Sequence, residues 1–253
     1  MLRTRIIPCL LLRNESLVKT VKYGKFNYIG DPLNTCRIFN ELEVDELAFL
    51  DITASRDRRK PNFKVLQGIA NECFMPLSYG GGIRSVEMAE RIFSIGFEKV
   101  VLNTYQFERP EIITELASAF GSQSVIVAID VRRNFWGKYQ VYSLSGRVNQ
   151  KLSPVVWAKA VEHRGAGEIL LTAIDREGTW QGFDLELTSQ VADAVTIPVI
   201  AHGGAGTVGH IGEVVSQGHA SAVALGSMVV YQGKELGVLV NFPDREELFR
   251  ALV

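Results

Sequence analysis

The sequence predicts an α/β fold, a closed (β/α)8 barrel, and three observations carry that prediction. Eight short apolar runs rich in β-branched residues lie at 6–12, 47–52, 77–79, 100–102, 125–131, 169–172, 199–201 and 222–225. They are apolar throughout instead of alternating, as strands covered on both faces are in parallel sheets. Longer amphipathic stretches separate them, and eight strand–helix units suit one barrel in a chain of 253 residues. The third observation is an internal repeat. Pro76-Leu77-Ser78-Tyr79-Gly80-Gly81-Gly82 returns 122 positions later as Pro198-Val199-Ile200-Ala201-His202-Gly203-Gly204. At that spacing Gly96 meets Gly218, and Val100-Val101 meets Ala222-Val223. Close to it, Glu46 and Leu50 meet Glu168 and Leu171, and run 125–131 meets run 6–12. The expectation is a TIM barrel of two duplicated half-barrels, about 1–120 and 121–253, forming one domain over 1–253.

In chain order, the run after Arg5 is the first strand. The long first loop, with Tyr23, Phe26 and Tyr28, is expected to be a lid. Asp31-Pro32 places an N-cap ahead of a proline at the first helical position, before Cys36, Ile38, Phe39 and Leu42. Ser85 opens a helix through Met88, Ile92 and Phe93 that stops at Gly96. Trp157 falls in a helical stretch and reads as core. Trp136 and Trp180 lie beyond strands five and six, either flooring the active face or packing in the lid. His163, His210 and His219 read as surface groups without metal-ligand spacing, and no metal or cofactor is expected.

Lys+Arg is 27 against Asp+Glu 28, a net charge of −1. That balance argues against nucleic acid or an anionic membrane surface as the main partner. Hydrophobic residues at 47% and charged residues at 22% fit a folded globule and exclude a disordered chain. Cys9, Cys36 and Cys73 lack C-x-x-C spacing and read as reduced thiols. The first apolar run is short, has no small-residue cleavage site, and is followed at once by Asn14 and Glu15. No segment approaches the ~18 apolar residues of a membrane span. The chain therefore reads as cytoplasmic.

In a barrel of this type, function collects where the strands' C-terminal ends meet the following loops. Gly80-Gly81-Gly82 follows strand three, and Gly203-Gly204-Ala205-Gly206 follows strand seven. Glycines admit an anion close to the backbone, and amides at a following helix start point toward it. Asn103-Thr104 follows strand four, and Gly226-Ser227 follows strand eight. Loops three and four would form one phosphate cradle, and loops seven and eight a second. The ligand expected is a phosphorylated small molecule with a phosphate at each end. His202, beside Gly203, either touches that ligand or packs the loop.

Carboxylates at strand ends are the candidates for proton transfer. Asp130 ends strand five, Asp51 ends strand two, and Asp175 and Glu177 follow strand six, before Gly178. The repeat places the mate of Asp130 at position 11, which holds Leu11. A chemistry needing a carboxylate from each half has lost one. At the other end, Arg5, Glu46, Lys99 and Glu168 each stand at the start of an apolar run. Alone in the barrel mouth they would be costly, so they should pair in a neutral ring. Asp45 and Glu98 beside them would offer acidic contacts to a partner.

Several of these motifs are long enough to be specific. Arg5-Ile6-Ile7-Pro8-Cys9-Leu10, Phe49-Leu50-Asp51-Ile52-Thr53-Ala54-Ser55, Gly80-Gly81-Gly82-Ile83 and Val127-Ala128-Ile129-Asp130 resemble the cyclase subunit (HisF) of imidazole glycerol phosphate synthase. So do Phe120-Gly121-Ser122-Gln123-Ser124-Val125, 165–172 and Ile174-Asp175-Arg176-Glu177-Gly178-Thr179. The resemblance spans nearly the whole chain and weakens after Gly226. It implies a barrel that takes ammonia from a glutaminase (HisH-like) docked at the N-terminal face. With that ammonia the barrel then cleaves and cyclises a bisphosphorylated ribulose-formimino nucleotide to imidazole glycerol phosphate and an aminoimidazole carboxamide ribotide.

Carried over residue by residue, the resemblance gives Asp130 as the strand-five catalytic acid and Lys19 as the first-loop lysine. It gives Gly82, Asn103, Thr104, Gly203, Gly204 and Ser227 to the phosphate loops, with Gly81, Gly178 and Gly226 beside them. Arg5, Glu46, Lys99 and Glu168 become the ammonia gate. The strand-one acid falls on Leu11, and an Asp-Gly in loop six becomes Glu177-Gly178. The run Pro8-Cys9-Leu10-Leu11-Leu12 and Val18-Lys19-Thr20-Val21-Lys22 resemble a diverged branch found with surface-sugar amidinating enzymes. The leading expectation is thus a paralogue that helps supply ammonia to a third enzyme, with cyclase chemistry impaired. Two alternatives stay open: an active cyclase using Asp130 with Glu177 or Asp51, and a non-catalytic scaffold that activates a glutaminase.

Overall fold

The structure, a computed structural model, describes residues 4–252. All eight apolar runs are strands: β1 (Arg5–Arg13), β2 (Leu47–Asp51), β3 (Leu77–Gly80), β4 (Lys99–Leu102), β5 (Val125–Arg133), β6 (Glu168–Ala173), β7 (Val199–His202) and β8 (Ala222–Leu225). Each pairs in parallel with the next. β8 returns to β1 from Arg5↔Ala222 to Pro8↔Leu225 and closes the (β/α)8 TIM barrel. Closure leaves no wall strand with an unpaired edge.

The connecting helices form where the caps predict. Asp31 accepts from the Asn34 amide at 2.9 Å ahead of helix Pro32–Glu41. Ser85 caps helix Val86–Ile95, which ends at Gly96 in the left-handed region, φ 118°. After β4 and β8 a four-residue helix comes first, Tyr105–Glu108 and Ser227–Val230. The full-length helices Glu111–Phe120 and Arg245–Leu252 follow them.

The first loop is more regular than the expected lid. Ser16–Thr20 and Phe26–Gly30 form an antiparallel hairpin whose first strand pairs with the end of β1, Leu11↔Val18 and Leu12↔Leu17. Nine-residue β1 outruns its barrel neighbours, and the hairpin satisfies the backbone groups that protrude. β5, also nine residues long, does the same with Tyr139–Ser143 and Val148–Asn149.

Strand periodicity divides the core in two. Ile6, Leu10, Phe49, Val127, Ile129, Leu171 and Val223 face the helices and join the outer core. Ile7, Cys9, Ala48, Val101, Ile126, Ala128, Leu170, Ile200, Ala222 and Ala224 fill the barrel. Stepping two residues up or down from this inner set reaches both ends of the cylinder. Downward are Arg5, Glu46, Lys99 and Glu168; upward are Leu11, Asn103, Asp130, Thr172 and His202. Many inner residues are small, with Cys9, Ala48, Ala128, Ala222 and Ala224 among them. Burial pushes the Cys9 thiol up to about 12, which keeps it protonated and inert.

Trp157 is core as expected, stacked on Phe107 and donating Nε1–H to Gln106 Oε1 at 3.2 Å. Trp136 corrects the sequence reading. It is 80% exposed beside Phe135, and neither floors the active face nor packs in a lid. Asn134 Oδ1 accepts from the amides of Trp136 and Lys138, and this turn projects both aromatics outward. Trp180 is half-buried in a left-handed conformation, φ 64°, its carbonyl against Gly206. His163 and His219 are exposed, and His219 pairs with Asp193. Among the described residues no helix is long and apolar enough to cross a membrane.

Candidate active site

Asp130 sits on the inner face of β5, level with Thr172 of β6. It is 5% exposed and accepts hydrogen bonds from Tyr23 Oη at 2.9 Å and Asn103 Nδ2 at 2.8 Å. Burial pushes its carboxyl up to about 6, against the hydrogen bonds of Tyr23, Asn103 and Thr172, which favour the ionised form. The group can therefore hold or release a proton near neutrality. Tyr23 is shifted in the same direction: burial and the Asp130 charge hold its phenol well above 10, so it keeps its proton and donates it. His202 shares a 3.1 Å hydrogen bond between Nδ1 and Thr172 Oγ1. Burial, with the Lys19 charge adding to it, lowers it to about 3, so the ring is neutral. Leu11 lines the same cavity beside Leu50, an apolar wall where the repeat predicts an acid.

Lys19 is buried in the first hairpin, and its Nζ pairs with Glu177 Oε1 and donates to the Thr20 carbonyl. Glu177, 1% exposed, also accepts from Thr20 Oγ1 and from the Tyr23 amide, each at 3.1 Å. One glutamate thus fixes three successive features of the hairpin over the barrel mouth.

The other two candidate acids are engaged elsewhere. Asp51 Oδ1 accepts from the amides of Thr53 and Ala54 and from Thr53 Oγ1, and both oxygens take Arg59. Its carboxylate shapes loop two and leaves little capacity for proton transfer. Asp175 corrects the sequence reading: it accepts from the Arg133 amide and pairs with Arg132, outside the cavity lining. This half-exposed carboxylate at the rim stays outside the cavity that Asp130 lines.

The glycine loops have the conformations that require glycine. Gly81 and Gly82 lie at φ 127° and 71°, Gly178 at 73°, and Gly203 and Gly204 at 95° and 113°. A Cβ on Gly82 would reach the Arg59 carbonyl at 2.6 Å, and one on Gly203 the Ala173 carbonyl at 2.8 Å. The two cradles differ in the space before them. Gly81, Gly82, Asn103 and Thr104 face a cavity of about 180 Å³, with Arg13, Arg56 and Arg147 at its wall. Gly178, Gly203, Gly204, Gly226 and Ser227 surround about 10 Å³, with Lys19 and Glu177 in its lining. Thr104 Oγ1 accepts from the Leu144 amide, so in this arrangement its hydroxyl oxygen braces the second hairpin.

At the opposite end the four predicted charges meet. Arg5 Nη1 lies 2.6 Å from Glu46 and Nη2 lies 3.0 Å from Glu168. Lys99 Nζ lies 3.4 Å from Glu46 and 2.9 Å from Glu168. Each cation bridges both anions, a closed neutral ring across the barrel base. Beside it Glu98 is exposed, while Asp45 accepts from the Ile6 amide at 3.1 Å. Part of Asp45's charge is therefore spent on seating β1.

Asp130, Lys19, Leu11, Glu177 and Asn103, all marked by the sequence, meet at the barrel mouth. Tyr23, expected only in a lid, and Thr172, which no motif marks, join them. Counting two residues up from Leu170 would have placed Thr172 in the site; nothing in the sequence marks Tyr23 as turning inward. Among the described residues no three His, Cys, Asp or Glu side chains converge on a metal position.

The chain matches a family model described as histidine biosynthesis protein over residues 5–235. It is 49% identical to a provisionally named imidazole glycerol phosphate synthase subunit, hisF2, of Pseudomonas aeruginosa, covering 98% of this chain and 99% of that one. A provisionally named subunit hisF3 of Vibrio vulnificus is 45% identical over 100% of this chain and 97% of its own. The imidazole glycerol phosphate synthase subunit HisF of Alkaliphilus metalliredigens is 44% identical over 91% and 92%.

Proposed function

The chain belongs to the histidine biosynthesis protein family as a diverged HisF-type paralogue, and from that premise we propose that it conducts ammonia from a glutaminase partner to an amidotransfer outside ordinary histidine synthesis. The glutaminase docks on the N-terminal face, where exposed Glu98 stands beside the charged ring. Ammonia passes the ring, climbs an interior where the small side chains of Cys9, Ala48, Ala128, Ala222 and Ala224 alternate with aliphatic ones such as Ile7, Leu170 and Ile200, and emerges at the upper cavity. From there it serves a third enzyme, in keeping with a role in surface-sugar biosynthesis.

One observation carries this reading: the base of the barrel is complete while the top is not. Four charges are held in a mutually bridged ring, an arrangement costly to desolvate and unneeded by a catalyst that works only at the other end. At the top, Leu11 gives Asp130 no second carboxylate. A neutral molecule the size of ammonia crosses such a ring through small side-chain movements; an ion does not, because it would carry uncompensated charge into an apolar interior. Arg5 and Lys99 hold the two glutamates, while burial raises the Asp130 carboxyl to about 6, where its proton exchanges near neutrality.

A second reading has its own support. Asp130 has the raised pKa of a proton-transfer group, which favours an active cyclase working with one acid. The two separate in one assay. Purified chain given the bisphosphate nucleotide and ammonium salt should cyclise little, and should accelerate glutamine hydrolysis when its glutaminase is added. Turnover at an ordinary cyclase rate would overturn the first reading in favour of the second. A chain that activates the glutaminase yet transfers no ammonia would be a scaffold only.

A further inference from the structure

We infer that Cys36 and Cys73 are a modification site, a thiol pair that hydrogen peroxide converts to a reversible disulfide clamping helix Pro32–Glu41 to helix Phe63–Glu72 on the outside of the barrel. Neither the active site nor the passage of ammonia uses this pair.

The two neighbouring helices bring the thiols together. Cys36 lies in the second turn of helix Pro32–Glu41, and Cys73 follows helix Phe63–Glu72 with extended backbone, φ −103° and ψ 135°. Arg37 grips the Glu72 carboxylate, with Nε at 2.7 Å and Nη2 at 2.8 Å. Asn40 donates Nδ2 to the Glu72 carbonyl and accepts from the Phe74 amide at 3.2 Å. Residues on both sides of Cys73 are thus pinned to the helix that carries Cys36. Positions 36 and 40, four apart, share one face of that helix. There the two thiols stand in hydrogen-bond contact. Close, facing side chains are what a disulfide demands. The bridge would tie together the turns that lead into β2 and β3 at the base of the barrel.

The third cysteine is kept out. Cys9 belongs to the inner set that fills the barrel, whereas Cys36 joins the outer core and Cys73 packs against it. The strand wall lies between them. Cys36 is wholly buried, and the Cys73 contact together with burial holds its thiol well above the ordinary cysteine range. Cys73 is half-buried and reaches solvent, so it meets the oxidant first. Its sulfur attacks a peroxide oxygen; an S–O bond forms, the O–O bond breaks, and water leaves with the thiol proton. The Cys36 sulfur then attacks the Cys73 sulfur; the S–S bond forms, the S–O bond breaks, and a second water leaves with the Cys36 proton. Two thiols lose two electrons in all, and one peroxide is reduced to two waters. A thiol reductant reverses the bridge by exchange.

The test treats the full chain with a small excess of hydrogen peroxide, followed by thiol titration in denaturant and a non-reducing peptide map. Wild type should fall from three titratable thiols to one, with Cys36 and Cys73 in one cross-linked peptide and Cys9 free. Dithiothreitol should restore all three. A bridge between points far apart in sequence constrains the unfolded chain, so the oxidised protein should unfold roughly 5–10 °C higher than the reduced one. Cys73→Ser should leave Cys36 unmodified, and Cys36→Ser should leave Cys73 as a sulfenic acid that dimedone traps. If either serine variant fails to fold, the wild-type map decides alone. Three thiols retained, thiols lost without a bridge, a bridge that includes Cys9 or joins two chains, or a lowered unfolding temperature would each overturn the inference.

Discussion

Tyr23 reaches from the turn of the first hairpin into the barrel mouth and donates its phenolic hydroxyl to Asp130 at 2.9 Å. A lid residue and a strand-end acid are thereby one unit, and closing the hairpin changes the acid's proton affinity. The hydrogen bond favours the ionised carboxylate, so removing it should raise the Asp130 pKa above its present value of about 6. Tyr23→Phe should therefore shift the Asp130 carboxyl titration upward, read by carbon NMR. A downward shift would show that the hydroxyl does not engage the carboxylate in solution.

Asp130 also sets a pH dependence of stability. Its folded pKa is raised from 3.8 to about 6, so the folded state holds the proton more tightly than the unfolded chain. The stability this confers is full below about pH 4 and is lost as pH rises through 6. Asp130→Asn should be indifferent to that transition. Its unfolding free energy relative to wild type should climb between pH 4 and pH 7 by at most about 3 kcal/mol, the value of roughly two pKa units. Urea unfolding across that range checks it; a constant difference would mean that the carboxyl is not desolvated.

How much was legible beforehand can be argued from Asp51 and Asp130. Both end an apolar run in the sequence, and both were candidates on that ground. Strand parity separates them, since Asp130 continues the inner series of Ile126 and Ala128 while Asp51 falls out of step with Ala48 and Leu50. The ring at the base was legible for the same reason, its four charges each standing two residues before an inner position. The wall itself was readable because strands buried on both faces cannot hide their apolar runs. What escaped was tertiary: that Tyr23 turns inward, that Trp136 turns outward, and that Glu177 meets Lys19. Those contacts depend on the register of two hairpins that no periodicity announces.

The ring makes a separable prediction at the base. Arg5→Ala leaves two glutamates with only Lys99 between them, and the pair is partly water-exposed at Arg5. Screening reduces the cost below that of a fully buried pair, so a destabilisation of about 1–3 kcal/mol is expected. With the glutaminase bound, glutamine-driven transfer should fall while hydrolysis continues, and added ammonium salt should restore transfer. Equal loss with both nitrogen sources would place the defect at the top of the barrel instead.

Leu11→Asp returns a carboxylate to the wall opposite Asp130, and general acid–base help is worth roughly 10²–10⁴-fold when the substrate is seated. Here Glu177, one methylene longer than the aspartate of the resembling loop-six motif, is tied to Lys19 beside the second cradle and crowds it. Leu11→Asp alone should therefore change cyclisation of the bisphosphate nucleotide by less than about tenfold. Combined with Glu177→Asp, which draws the carboxylate back by one methylene, it should raise the rate well beyond either single variant. The measurement is single-turnover cyclisation with saturating ammonium salt for all four proteins, wild type included. Additive effects would show that the acid at position 11 and the side-chain length at position 177 act independently; a full gain from Leu11→Asp alone would show that Glu177 does not hinder the reaction.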